Sequence, residues 1–291
     1  MDKLFYDISK AFGVDREISE VKAVIREYIE KKHICIYEDE VGNLIVKLGT
    51  GNKKLLMSAL MNRCGYMAVK IDNEESGKVE INGTNIEPKL DGKYLRTKGG
   101  AIARIHDGDK IDILVGQIQA GEFLMIDEEI RVFDNKVSGV EVSNISLIYS
   151  LIKVIEEVNI KDKEVYFVFS YKEDSIFKSN FAAKAIRPDR ALFFDSSQNS
   201  DKLQLIYMNR KYLANESFKQ DILNIAKEND IDITLKDCID ETEADSIHKE
   251  VGGIATVVLG LPCKYKNTSL QIIERVAIEE MRKLLKEIIE G

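Results

Sequence analysis

Two runs, EVYFVFSY at 164–171 and IATVVLGLP at 254–262, carry almost no polar residue. A strand that is apolar at every position, rather than at alternate ones, is buried on both faces, as in a sheet covered by helices. The strand expected over Lys54–Met61 has the same character, and RALFFD (190–195) adds a fourth. Amphipathic segments lie between them. In REISEVKAVIREYIEKK the apolar residues Ile18, Val21, Ile25, Tyr28 and Ile29 recur at helical spacing, and Ile145, Ile148, Leu151, Ile152 and Ile155 do the same. Further helices are expected in FKSNFAAKAI, in SFKQDILNIAKEND and over 269–290. Strands alternating with helices predict an α/β fold with helices on both faces of a largely buried sheet.

That alternation breaks at 66–132. YMAVKID, DKIDILVG, EFLMID and their neighbours are short, alternating in polarity, and separated by Gly, Asp and Asn. No helical period survives there, so the segment reads as a small all-β insertion. The expected organisation is an α/β domain over 1–65 and 133–291, with a β-barrel-like domain at 66–132. An insertion of that size has little room for a core, so its apolar faces are expected to find partners.

The chain of 291 residues has a net charge of −8, which gives no electrostatic basis for binding nucleic acid. No apolar run approaches the roughly 20 residues of a membrane span, and a cytoplasmic location is expected. Cys35, Cys64, Cys238 and Cys263 are widely spaced, with no CxxC pair. The three histidines, His33, His106 and His248, sit in a helix-to-strand passage, a polar turn and an expected helix. None lies at a strand end, where a zinc site would need it.

Carboxylates do lie there. IRVFDNK places Asp134, VYFVFSYKED places Glu173 and Asp174, and RALFFDSS places Asp195 just beyond apolar strands. Acids at several strand ends suit hard-cation binding or acid–base work. They equally suit helix N-caps and solvated loops.

These segments, in this order and around a β insertion, resemble the tetrahedral aminopeptidase family, also called glutamyl aminopeptidases or endoglucanase-like peptidases. The resemblance runs from FGVDREISEVKAVIREYIEKK through LLMSALMNRCGYMAVKID, FDNKVSG, VYFVFSYKED and ALFFD to ETEADSIHKEVGGIATVVLGLPCKYKNTS. It implies a peptidase that holds two zinc or cobalt ions, activates water with a glutamate, and assembles as a homo-oligomer, from a dimer up to a dodecamer. By the same resemblance Glu173 matches the general base, Asp134 the bridging aspartate and Asp195 a further ligand. Asp174 stands for a longer glutamate. Leu60 and Asn267 stand where the family has metal-binding histidines, and Asn62 where it has the aspartate that orients the first of them.

Leucine donates nothing to a metal, and a neutral amide is a poor zinc ligand beside imidazole. What remains would suit a weakly bound divalent metal at most, or none. The expectation is an impaired or inactive homologue kept for a structural, regulatory or binding role, alone or with an active homologue, with peptide a possible ligand. The alternative is a working hydrolase with an oxygen-rich metal site and Glu173 as base. Without a metal the converging acids need counter-charges. Arg63, Lys136 and Lys172 are the candidates expected to reach into them.

Overall fold

A computed structural model describes residues 1–73, 75–82, 91–173, 176–198, 200–238, 240–249 and 253–291. The chain opens with α1 (Lys3–Lys10) and α2 (Ser19–Glu30), followed by β1 (Ile36–Glu38), β2 (Leu44–Leu48) and β3 (Lys53–Leu60). Asp2 caps α1 by accepting from the Phe5 amide. Six strands then form a closed barrel: β4 (Gly65–Asn73), β5 (Ser76–Asn82), β6 (Tyr94–Thr97), β7 (Ile102–His106), β8 (Lys110–Val115) and β9 (Phe123–Ile126). The return leg runs through β10 (Arg131–Val132) and β11 (Lys136–Gly139) to α3 (Val142–Glu157) and β12 (Lys163–Ser170). A hairpin of β13 (Lys172–Glu173) and β14 (Ile176–Phe177) precedes α4 (Ser179–Ile186), β15 (Arg190–Ser197) and β16 (Leu203–Met208). The chain ends with α5 (Glu216–Glu228), β17 (Ile233–Asp237), α6 (Ala244–Ile247), β18 (Ala255–Pro262), β19 (Gln271–Glu274) and α7 (Arg275–Glu290).

The main sheet has the order β1-β2-β12-β3-β15-β18-β16-β17. Its centre is parallel: β12 and β15 flank β3, and β18 follows β15. The apolar runs are this centre. Phe167, Phe169, Phe193, Leu56 and Val257 are fully buried, because α3 with α1, α2 and α7 covers one face while α4 and α6 cover the other. Helix α3 is itself buried on nearly every side, with Leu151, Ile152 and Val154 at zero exposure. Parallel pairing brings the carboxyl ends of four strands to one edge. Leu60 stands opposite Ser170, and Asp195 opposite Gly260. Such an edge is where α/β sheets gather ligands.

The insertion differs from expectation in one respect. It has a core of its own, built from Ala68, Leu95, Ala103, Ile105, Ile111 and Leu124, all at zero exposure. Closing a sheet on itself removes both edges and turns alternate side chains inward, so a small unit can bury an apolar interior. Gly65 starts the barrel where a side chain would not fit, since a Cβ there would lie 2.6 Å from the Leu124 carbonyl. The expected helix over 269–290 is also shorter. Gln271–Glu274 pair with β11 as a strand, and the helix begins only at Arg275. Among the described residues no helix is long and apolar enough to cross a membrane.

Candidate functional site

At the end of β3 the site begins with an apolar side chain. Leu60 is half-buried and contributes no polar atom. Asn62, two residues on, is a bracket: its Nδ2 donates to the Lys172 carbonyl at 2.8 Å and its Oδ1 accepts from the Lys172 amide at 3.0 Å. Only a side chain with both a donor and an acceptor can do this, and a carboxylate would repel the carbonyl. Asn62 thus ties β3 to the strand carrying Glu173.

Arg63 does not reach the acids. Its guanidinium turns back to the C-terminal end of α1, donating to the Ser9 carbonyl at 2.8 Å and to the Ile8 carbonyl, and touches Met125 Sδ at 3.9 Å. A cation capping the last carbonyls of a helix meets the negative end of its dipole. Burial pulls the Arg63 pKa down to about 10, which still leaves it charged at neutral pH. Lys136 pairs instead with Glu274 at 3.5 Å, across the β11–β19 ladder. Lys172 lies 3.8 Å from Glu241.

The acids are distributed rather than gathered. Asp134 is exposed on the turn between β10 and β11, where Arg275 donates to its main-chain carbonyl at 2.9 Å. Glu173 is held by Lys178 at 2.8 Å, with Arg16 at 3.9 Å. Asp174 lies outside the described residues. Asp195, near the end of β15, accepts from the Ser196 amide at 2.7 Å and from Lys266 Nζ on both oxygens, at 3.1 and 3.2 Å. The same ammonium reaches Asp240 at 3.1 Å. Burial would pull the Lys266 pKa down, but Asp195 and Asp240 outweigh it and hold it up. Burial pushes the Asp195 carboxyl up, and Lys266 pulls it back. The Lys266 side chain is only 11% exposed, so this is an internal cation. Asn267 follows it in a left-handed conformation, φ 63°, which asparagine tolerates better than most residues.

Three functional-looking residues escaped the sequence reading. Lys266 is the first. Glu243 is the second: it is 3% exposed, accepts from Ser58 Oγ at 2.8 Å, and lies beside the buried Ser179 hydroxyl, with no well-formed hydrogen bond to its other oxygen among the described residues. Burial pushes its pKa up to about 7. The third is Glu141, at the start of α3 with φ 52°. Burial raises its pKa, while a hydrogen bond from the Cys64 thiol and the charges of Arg63 and Lys266 lower it. A serine inside LLMSALM was the one available signal for Glu243, since a buried hydroxyl asks for a partner.

This donor set does not fit a pair of metal ions. Leu60 offers no lone pair, an ammonium sits on both oxygens of Asp195, and another sits on Glu173. Among the described residues no group of three or more His, Cys, Asp or Glu could hold a metal ion.

A sheet of this order interrupted by a barrel is an aminopeptidase fold. An aminopeptidase of the archaeon Desulfurococcus kamchatkensis superposes with a TM-score of 0.91 at 18% identity, over 99% of this chain and 94% of its own. A TET peptidase of Pyrococcus horikoshii, which assembles into a tetrahedron or a large octahedral shell, superposes at 0.84 with 17% identity, covering 99% of both chains. A relative in Acetivibrio thermocellus, whose name places it among aminopeptidases, is 26% identical over 325 aligned positions, 98% of either chain. The profile of the M42 glutamyl aminopeptidases matches residues 105–284, and this chain belongs to that family.

Proposed function

We propose that this chain is a non-hydrolytic or severely impaired M42 member, kept for a structural, regulatory or binding role. The observation that carries the reading is Lys266, whose ammonium occupies both oxygens of Asp195 from inside the fold. In a two-metal hydrolase the cations polarise the carbonyl and acidify the attacking water. Lysine supplies the charge without either chemistry: it neutralises the carboxylate and has no open coordination position. Glu173, the residue matching a general base, is in turn bound to Lys178. An ammonium in that position lowers the basicity on which proton abstraction depends.

The chain works as a homo-oligomer, from a dimer up to a dodecamer, or joins an active homologue, with peptide as a candidate ligand. Support comes from the shells formed by the Pyrococcus relative. It comes also from Phe133 and Val276, 54% and 60% exposed beside the turn that Arg275 holds, an apolar surface that a second copy would cover. A cytoplasmic setting agrees with four cysteines that form no disulfide.

The test is calorimetric titration with zinc, run beside an amino-acid anilide assay in zinc, cobalt, manganese and magnesium. No stoichiometric zinc and no turnover are expected. Turnover in any of these metals, or uptake of two zinc ions at submicromolar affinity, would instead establish a working hydrolase with Glu173 as base. Light scattering on the same sample is expected to give at least a dimer, and a monomer at micromolar concentration refutes the assembly reading.

A further inference from the structure

A cavity of about 510 Å³ opens where the C-terminal end of α1 meets the barrel. It is separate from the strand edge, for none of Glu173, Asp195 and Lys266 lines it. One wall is cationic. Arg63 is 8% exposed, and a guanidinium carries five N–H groups. Ser9, Ile8 and Met125 engage three of them, and the buried Glu141 carboxyl, though no ion pair to Arg63 forms among the described residues, is near enough to meet part of its charge. Arg96 shares the wall, stacked 5.7 Å from the Phe12 ring centroid and near enough to work against the charge of Arg63. It is itself bound to the Lys10 carbonyl at 2.5 Å and to Asp127 at 3.5 Å. The α1 dipole and Glu141 meet part of the Arg63 charge, yet a guanidinium that lines a cavity with two N–H groups to spare is complementary to a carboxylate. The rim is mixed in charge: Asp127 is paired with Arg96, Lys10 is exposed beside it, and Glu129 is an exposed carboxylate. Met125, Ile126, Ile130 and Val140 line the remainder with apolar surface.

We propose that this cavity binds a small zwitterion with an apolar side chain, an amino acid or a short peptide. Its carboxylate lies on the spare N–H groups of Arg63, its ammonium faces Glu129, and its side chain meets the apolar wall. The volume is in the range of small-molecule sites, roughly 300–1,000 Å³.

Calorimetry on the full chain decides it, with L-leucine, leucinamide, N-acetyl-leucine and inorganic phosphate as probes. Leucine is expected to bind. Leucinamide lacks the carboxylate and N-acetyl-leucine lacks the ammonium, so each is expected to bind about tenfold or more weakly. Glu129→Gln, an exposed change with no bearing on folding, is expected to weaken leucine severalfold and to leave N-acetyl-leucine unaffected. Arg63→Lys is expected to lose leucine binding by removing the fork. If Arg63→Lys does not fold, the Glu129→Gln comparison still decides. The proposal is overturned if leucine does not bind at about 10 mM, a concentration at which even weak sites of this kind fill. It is equally overturned if leucinamide matches leucine, if phosphate binds in preference, or if Glu129→Gln changes nothing.

Discussion

Lys266→Met is expected to lower the stability of the chain by about 3 kcal/mol in urea denaturation at neutral pH. The substitution keeps the length of the side chain and removes the charge, leaving the Asp195 carboxylate beside β18 with the Ser196 amide as its one hydrogen-bond donor among the described residues. Removing one partner of a buried ion pair costs about 3–5 kcal/mol, chiefly because the remaining charge is stranded. The lower end applies because Asp195 keeps 22% exposure. Adding Asp195→Asn should recover most of the loss, since the stranded charge is then gone. A Lys266→Met variant within about 0.5 kcal/mol of the parent, the ordinary range for a surface substitution, would show that the ammonium is ornamental. The same contact bears on repair of the site. Histidines installed at 60 and 267 would face an ammonium already seated on Asp195, so zinc affinity should return only when Lys266 is removed as well.

Glu243→Gln is expected to stabilise the chain at pH 8 and to make little difference near pH 4.5. The Glu243 pKa rises from 4.5 in the unfolded chain to about 7 in the fold, because burial disfavours its charged form. Between those values the folded state holds the proton more tightly than the unfolded state. The resulting stability is therefore fully present below about pH 4.5 and is lost as the pH rises through about 7. At 1.36 kcal/mol per unit the loss is on the order of 3 kcal/mol. Glutamine is neutral throughout and can still accept from Ser58, so it escapes that loss, less whatever its unplaced amide costs. Melting temperatures of both proteins from pH 5 to 8 provide the measurement. Curves that run parallel across the range mean that Glu243 does not titrate there.

Much of the architecture was legible because burial leaves a plain mark. A strand covered on both faces must be apolar throughout, so EVYFVFSY and IATVVLGLP announced the centre of the sheet. The barrel announced itself by alternation. What failed to show were elements whose partners are far away in sequence. Strand β16 is placed by β18, and Gln271–Glu274 forms a strand because Lys136–Gly139 lies alongside on one edge and Lys264 bridges Ile272 on the other. Read alone, QIIERVAIEE shares one unbroken helical spacing with α7.

At the strand ends, the residues that the resemblance sets in place of histidines, Leu60 and Asn267, were readable one by one as a side chain with no metal donor and one with a poor one. The cation on Asp195 was not, because lysine is ordinarily a solvated residue and nothing in KYKNTS marks Lys266 as internal. Arg63 misled for the converse reason. Its position after Asn62 suggested the acids, whereas the free carbonyls ending α1 were the stronger claim on its donors.

The Asn62 bracket also bears on the direction in which such a chain can change. An aspartate placed there would break the bond to the Lys172 carbonyl before any metal could reward it. Replacing Lys266 strands Asp195 before a histidine at 267 has a cation to share. Both changes are expected to lower stability taken singly, so by these two contacts the chain resists a stepwise change toward a metal site.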